Sequence, residues 1–163
     1  MTRKFNVKWS LAVKIITAVC AVVLIAAEIS LINSIFSDNN IWRIVAVFLI
    51  AVALGFILVA PVSIQIADDH ILLKRVLGKV VIYFDNIEKI EYYRHSKHDI
   101  RVFGSGGYGG YLGVFSNAQI GKYSAYVGNL SQAFLIQLKN GKNYVFSCEN
   151  RDFVIETINN KIL

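Results

Sequence analysis

Val62-Ser63-Ile64-Gln65-Ile66-Ala67-Asp68-Asp69-His70-Ile71-Leu72-Leu73-Lys74-Arg75 is the stretch that decides the fold. Val62, Ile64 and Ile66 alternate with Ser63 and Gln65, the period of a half-buried strand. Asp68-Asp69 marks a turn, and Ile71 to Val76 reads as a second strand. Gly78 permits another turn before Lys79 to Phe84, in which Val80, Ile82 and Phe84 share a face. Asp85-Asn86 turns again, and Ile90 and Tyr92 share a face beyond it.

Farther on, after an irregular middle, Phe134, Ile136 and Leu138 alternate with Leu135 and Gln137. Asn140-Gly141 then predicts a type I′ hairpin turn, because both residues tolerate positive φ. The partner strand is Asn143 to Ser147. The period changes at the end: Val154, Ile155, Ile158 and Ile162 form a helical stripe, with Asn150 as its predicted N-cap. Phe153 lies off that stripe and is expected to plug the strand-to-helix junction.

Upstream of this segment the chain reads differently. The protein has 163 residues, 55% apolar and only 17% charged, with a mean hydropathy of +0.51. A soluble domain usually has about a quarter charged residues. The excess lies in two blocks, Leu11 to Asn33 and Ile41 to Ala60. Each is long enough as a helix to cross a hydrocarbon core of about 30 Å. Ser34 to Asn40 is a polar turn between them, and Pro61 stops the second. The expected organisation is a basic cytoplasmic tail (1–10), a first transmembrane helix (11–33), an external turn (34–40), a second helix (41–60) and a cytoplasmic domain (61–163). A cleaved signal is disfavoured by the length of the first run and the lack of a small-x-small site.

Arg3, Lys4, Lys8 and Lys14 precede or begin the first block, the connector carries no basic residue, and Lys74, Arg75 and Lys79 follow the second. This distribution places both termini in the cytoplasm and the protein in the inner membrane. Trp9 and Trp42 fall at block edges, where indoles favour headgroups. Glu28 and Arg43 lie near the outer ends of the helices, within about one turn of the same depth. They form an ion pair, serve transport or sensing, or snorkel separately.

The net charge of +6 would suggest nucleic acid in a soluble protein. Five basic and two acidic residues precede Pro61, leaving 12 and nine after it. Half of the charge is therefore a topology signal, and no nucleic-acid partner is expected.

The pattern from Ser63 to Arg75, with Gly78 and Asp85-Asn86-Ile87-Glu88-Lys89-Ile90, resembles the opening strands of bacterial pleckstrin-homology-like domains. Gly104 to Gly113 and Gly121-Lys122-Tyr123-Ser124-Ala125-Tyr126 resemble a subgroup in which two transmembrane helices often precede the domain. The resemblance covers roughly residues 62–162. It implies about seven strands in a bent barrel or sandwich, closed at one end by a C-terminal helix.

Three groups of residues invite functional readings. Six of the 11 glycines are Gly104, Gly106, Gly107, Gly109, Gly110 and Gly113. Tyr108, Tyr111, Leu112 and Phe115 supply apolar surface among and after them. This run lacks the Gly-Lys-Ser/Thr of a phosphate loop; it is either a structural cover over the barrel or a partner-binding loop. Arg94, His95, Lys97, His98 and Arg101 cluster around a strand end with Asp99. They form a solvated basic loop or touch anionic headgroups, and His95 with His98 lacks a third metal ligand. The acidic turn Asp68-Asp69-His70 argues against phosphoinositide binding. Cys20 and Cys148 lie in different environments and predict no disulfide. No paired nucleophile and base, cofactor motif or metal spacing is present, so no enzyme is expected. The expected function is a membrane-anchored recognition or scaffold module holding a protein or peptide near the bilayer, with self-association compatible. The alternatives are an accessory or sensor subunit acting through the helices, or direct anionic-lipid binding.

Overall fold

The computed structural model describes residues 3–33 and 40–162. The external turn expected at 34–40 falls almost wholly outside the described residues. The side chains of Trp42 and Arg43 are also outside them, and the expected Glu28–Arg43 pair with them.

Strand β1 (Arg3–Asn6) leads directly into helix α1 (Leu11–Asn33), and helix α2 (Asn40–Leu58) returns to strand β2 (Pro61–Ile66). Strands β3 (His70–Arg75), β4 (Lys79–Tyr83), β5 (Ile87–Tyr92), β6 (Ile100–Gly106), β7 (Tyr111–Asn117), β8 (Gly121–Val127), β9 (Ala133–Leu138) and β10 (Asn143–Ser147) follow. Helix α3 (Arg151–Ile162) ends the described chain. The strands form a four-stranded sheet ordered β1-β2-β3-β4 and a six-stranded sheet ordered β5-β9-β10-β8-β7-β6. Neither sheet closes, and among the described residues the domain holds nine strands, with a tenth from the N-terminal segment, where about seven were expected in the domain.

Four of the strands come from places without an alternating signal. Arg3–Asn6, expected as a tail, pairs antiparallel with β2, Arg3 opposite Ile66 and Asn6 opposite Ser63. The middle expected to be irregular contains the β6-β7-β8 meander. Glycines and polar residues there break the apolar period without breaking the ladder.

A β-bulge explains one displaced face. A register shift between Pro61 and Ser63 turns Val62 outward, 41% exposed, and Ser63 fully inward. Tyr92 reaches the rim instead of the core, with the Arg151 guanidinium 5.0 Å from its ring centroid, while Tyr93 is buried. The β9–β10 turn also departs from expectation. Gly141 has φ +79° while Asn140 stays in the negative region. The Gly141 N–H donates to Leu138 O at 2.8 Å, and Leu138 N–H donates to Lys142 O at 2.9 Å. This is a three-residue loop closed by a left-handed glycine, not a type I′ turn.

The alternation in β9 serves two cores. Phe134, Ile136 and Leu138 face the main core with Ile64, Leu73, Phe146 and the α3 residues Val154, Ile155 and Ile158. Ala133 and Leu135 face a second cluster containing Tyr93, Phe115, Tyr123, Ala125, Val127 and Val145. The helical stripe at the end packs as its period predicts.

Among the described residues one helix, Leu11–Ser30, is long and apolar enough to cross a membrane, and only 6% of its most apolar window is buried. Helix α2 contributes a shorter described apolar run, Val47–Leu58. The two helices lie side by side.

Candidate functional site

The helices meet the domain without a linker. Ser10 caps α1, its Oγ accepting from Val13 N–H at 3.3 Å, and its own N–H donates to Gly128 O at 2.9 Å. A Cβ on Gly128 would lie 2.9 Å from both Trp9 and Val7, so glycine is what lets this strap lie flush. At the other joint, Val76 N–H donates to Ala60 O at 3.0 Å and Leu77 N–H to Leu58 O at 2.7 Å.

The glycine run is the β6–β7 hairpin, and its turn sits on the helices. Thr17 Oγ1 donates to Val13 O at 2.7 Å and accepts from Gly109 N–H at 2.9 Å, with Gly107 O 3.4 Å away. Ser105 Oγ donates to Tyr108 O at 2.7 Å. Gly104 and Gly113 are cross-strand partners with φ of +129° and +119°. A Cβ on Gly104 would lie 1.9 Å from Leu112 O, and one on Gly113 would lie 2.2 Å from Phe103 O. Tyr108 and Ser105 line a hollow of about 440 Å³ against Val19, Val23 and Phe56. Leu112 and Phe115 are buried, with Phe115 stacked on Tyr123 at 5.8 Å. Tyr111 packs on the edge of the second core. Gly110 completes the turn, its N–H donating to Gly107 O at 3.4 Å.

The basic loop is organised around its one acid. Asp99 has a fully buried side chain paired with His95 Nδ1 at 2.8 Å. It accepts from Tyr93 OH at 2.7 Å, Ser96 N–H at 2.8 Å and Asn117 Nδ2 at 2.7 Å. Burial raises the carboxyl pKa, but these hydrogen bonds and the His95 pairing outweigh it and hold the group below the usual carboxylate range. Tyr93 OH shares a second hydrogen bond with Tyr123 OH at 2.7 Å, and burial drives the Tyr93 phenol far upward. His98 N–H donates to Ser96 Oγ at 3.2 Å, and the Arg101 guanidinium lies beside Gly106. Arg94 and Lys97 complete the loop without entering this network. His95 and Arg101 are thus engaged separately rather than converging on one anion site.

The hollow that sequence reasoning missed lies between β1 and α3. About 640 Å³ in volume, it is lined by Arg3, Lys4, Phe5, Asn150, Asp152 and Phe153. Phe153, expected as a plug, is 37% exposed. Its ring lies 5.7 Å from Phe5, with the Arg3 guanidinium 5.0 Å away. Asn150 is the one non-glycine residue with positive φ among those described, at +56°, and it also borders a second hollow of about 350 Å³ with Lys8 and Glu149, which are ion-paired. Asn6 O accepts from Glu149 N–H at 2.9 Å, so Asn6 faces away from β2. By the alternation of an antiparallel ladder, the Lys4 N–H and C=O face the same open side. The basic tetrapeptide Arg3-Lys4-Phe5-Asn6 carries no strand signal, and the off-stripe Phe153 and the predicted cap Asn150 were singled out for other reasons.

Cys148 is buried near this corner, and burial together with Glu149 pushes its thiol up to about 12. It is therefore not poised as a nucleophile. No group of three or more potential metal ligands occurs among the described residues.

No curated protein and no solved structure matches the chain. Residues 62–162 match the family model described as Bacterial PH domain. That span takes in β2 through α3, well over half of the chain, and the protein belongs to the bacterial PH domain family.

Proposed function

We propose that this protein is a membrane-anchored recognition module. Helices α1 and α2 hold the bacterial PH domain at the cytoplasmic face of the inner membrane, and the domain binds an extended segment of a partner protein. Its work is binding, without a cofactor. Pairing of β1 with β2 returns both ends of the α1–α2 segment to one place. If α1 crosses the bilayer, α2 must therefore cross back. The basic residues flanking the helices favour the cytoplasm for that side.

The observation that carries the recognition reading is the open edge of β1 beside α3. An outward N–H and C=O at Lys4 are suited to strand addition, and the exposed Phe153 ring offers an apolar contact next to them. Tethering raises the effective concentration of such a site toward other membrane proteins.

The test uses the full chain in its own membranes, with a photo-crosslinking amino acid in place of Phe153. The expected outcome is a discrete protein adduct that is lost in Lys4→Pro. Proline there removes an outward N–H while the Arg3 and Phe5 bonds to β2 remain. No adduct, or an adduct indifferent to Lys4→Pro with the fold intact, refutes the reading.

A further inference from the structure

We infer that the turn of the β6–β7 hairpin is a re-entrant element, embedded among the lipid acyl chains of the cytoplasmic leaflet beside α1 and α2. The inference rests on the anchoring half of the proposal above and adds a second contact with the bilayer. Depth is the first argument. Thr17 lies six residues into α1, so at about 1.5 Å per residue the turn bonded to it sits about 9 Å beyond the start of that helix. Gly109 is held there by the Thr17 hydroxyl, with Gly107 O 3.4 Å from it.

The second argument is chemical. Irregular backbone survives at membrane depth only where its polar groups find partners within the protein. Here Gly107 N–H donates to Gly110 O at 3.0 Å and Gly110 N–H to Gly107 O. Thr17 Oγ1, whose proton goes to Val13 O at 2.7 Å, accepts from Gly109 N–H, and Ser105 Oγ serves Tyr108 O. Much of the polar backbone of the turn is thus satisfied within the protein.

The third argument is the surface of the hairpin. No charged residue occurs between Arg101 and Lys122, and the Arg101 guanidinium, beside Gly106, borders the hollow against Val19 and Val23. Val102 and Phe103 are 55% and 72% exposed, and the Phe103 ring lies 6.4 Å from Phe56 of α2. An apolar strand edge left in water invites aggregation, whereas beside a lipid-facing helix it continues an apolar surface. Lipid is therefore the occupant that fits, and a second copy paired along β6 is the rival.

The test places a bimane on Phe103→Cys in the full chain carrying Cys20→Ala and Cys148→Ala. The protein is reconstituted in phosphatidylethanolamine–phosphatidylglycerol vesicles with brominated acyl chains. Val23→Cys on α1 and Lys142→Cys at the far end of β10 are the references. Quenching at position 103 is expected to exceed that at 142 several-fold and to approach that at 23. A position-103 signal no greater than that at 142, with position 23 quenched, overturns the inference and leaves the anchor standing. A disulfide between copies in the unlabelled Phe103→Cys protein, with no quenching once it is labelled, does the same in favour of the second copy. Failure to quench at position 23 overturns anchor and inference together.

Discussion

The Asp99 carboxylate is enclosed by donors drawn from three parts of the chain: Tyr93, the Ser96 backbone with His95, and Asn117. A carboxyl whose folded-state pKa is depressed contributes stability above its unfolded value, and that stability is lost as pH falls through the folded value. The direction at Asp99 is downward, so acid should unlock the 93–99 loop only below about pH 4. Asp99→Asn puts an amide donor against existing donors and is expected to lower stability at neutral pH by about 1–3 kcal/mol. It should also flatten the acid limb of the melting curve; thermal melts across pH 3–7 check both. A melt at pH 7 equal to that of the parent protein would count against the network. Little of this was legible beforehand. His95 and Asp99 stood out by type, but Tyr93, Asn117 and Tyr123 meet only in the assembled β5-β9-β10-β8-β7 ladder, and no local spacing encodes that.

At the scale of elements, legibility followed the apolar period. Strands β2 to β5, β9 and β10 alternate because one or both faces are covered, and α3 shows its stripe for the same reason. Strand β1 is four residues at a sheet edge, with only Phe5 to bury. The meander from β6 to β8 replaces side-chain packing by close backbone approach at Gly104 and Gly113. Glycine richness pointed to this segment correctly and to its secondary structure poorly. Two substitutions separate close approach from mere composition. Gly113→Ala forces a Cβ against Phe103 O at positive φ, a strain of about 1–3 kcal/mol, and should lower the melting temperature clearly. Gly106→Ala meets only the movable Arg101 guanidinium and should leave it nearly unchanged. Equal effects would mean that the hairpin does not depend on the Gly104–Gly113 contact.

At the scale of the whole molecule, both joints between helices and domain are hydrogen-bonded turns rather than tethers. The domain therefore has one orientation relative to α1, and a surface near the membrane cannot swing away from it. Two glycines inserted between Lys8 and Trp9 should convert the first joint into a hinge. Distances between spin labels on α1 and at Lys142 should then broaden; an unchanged distribution would mean that the second joint alone fixes the orientation. The two apolar blocks were plain in the composition, while the stiffness of their attachment was not. It depends on Ser10 finding Gly128 across more than a hundred residues of chain.

The place of β1 in the chain also sets an order of events. Residues 3–6 leave the ribosome before their partner, residues 61–66, which follows only after both apolar helices have been made. The edge of β2 can be filled by this chain only if the two flanks of the helical pair arrive on the same side of the bilayer. A molecule inserted with its N-terminus on the wrong side would keep a bare β2 edge and an unmatched Glu149 N–H. Under the proposed anchoring, completion of the sheet would therefore report that both flanks of the helical pair lie on one side of the bilayer.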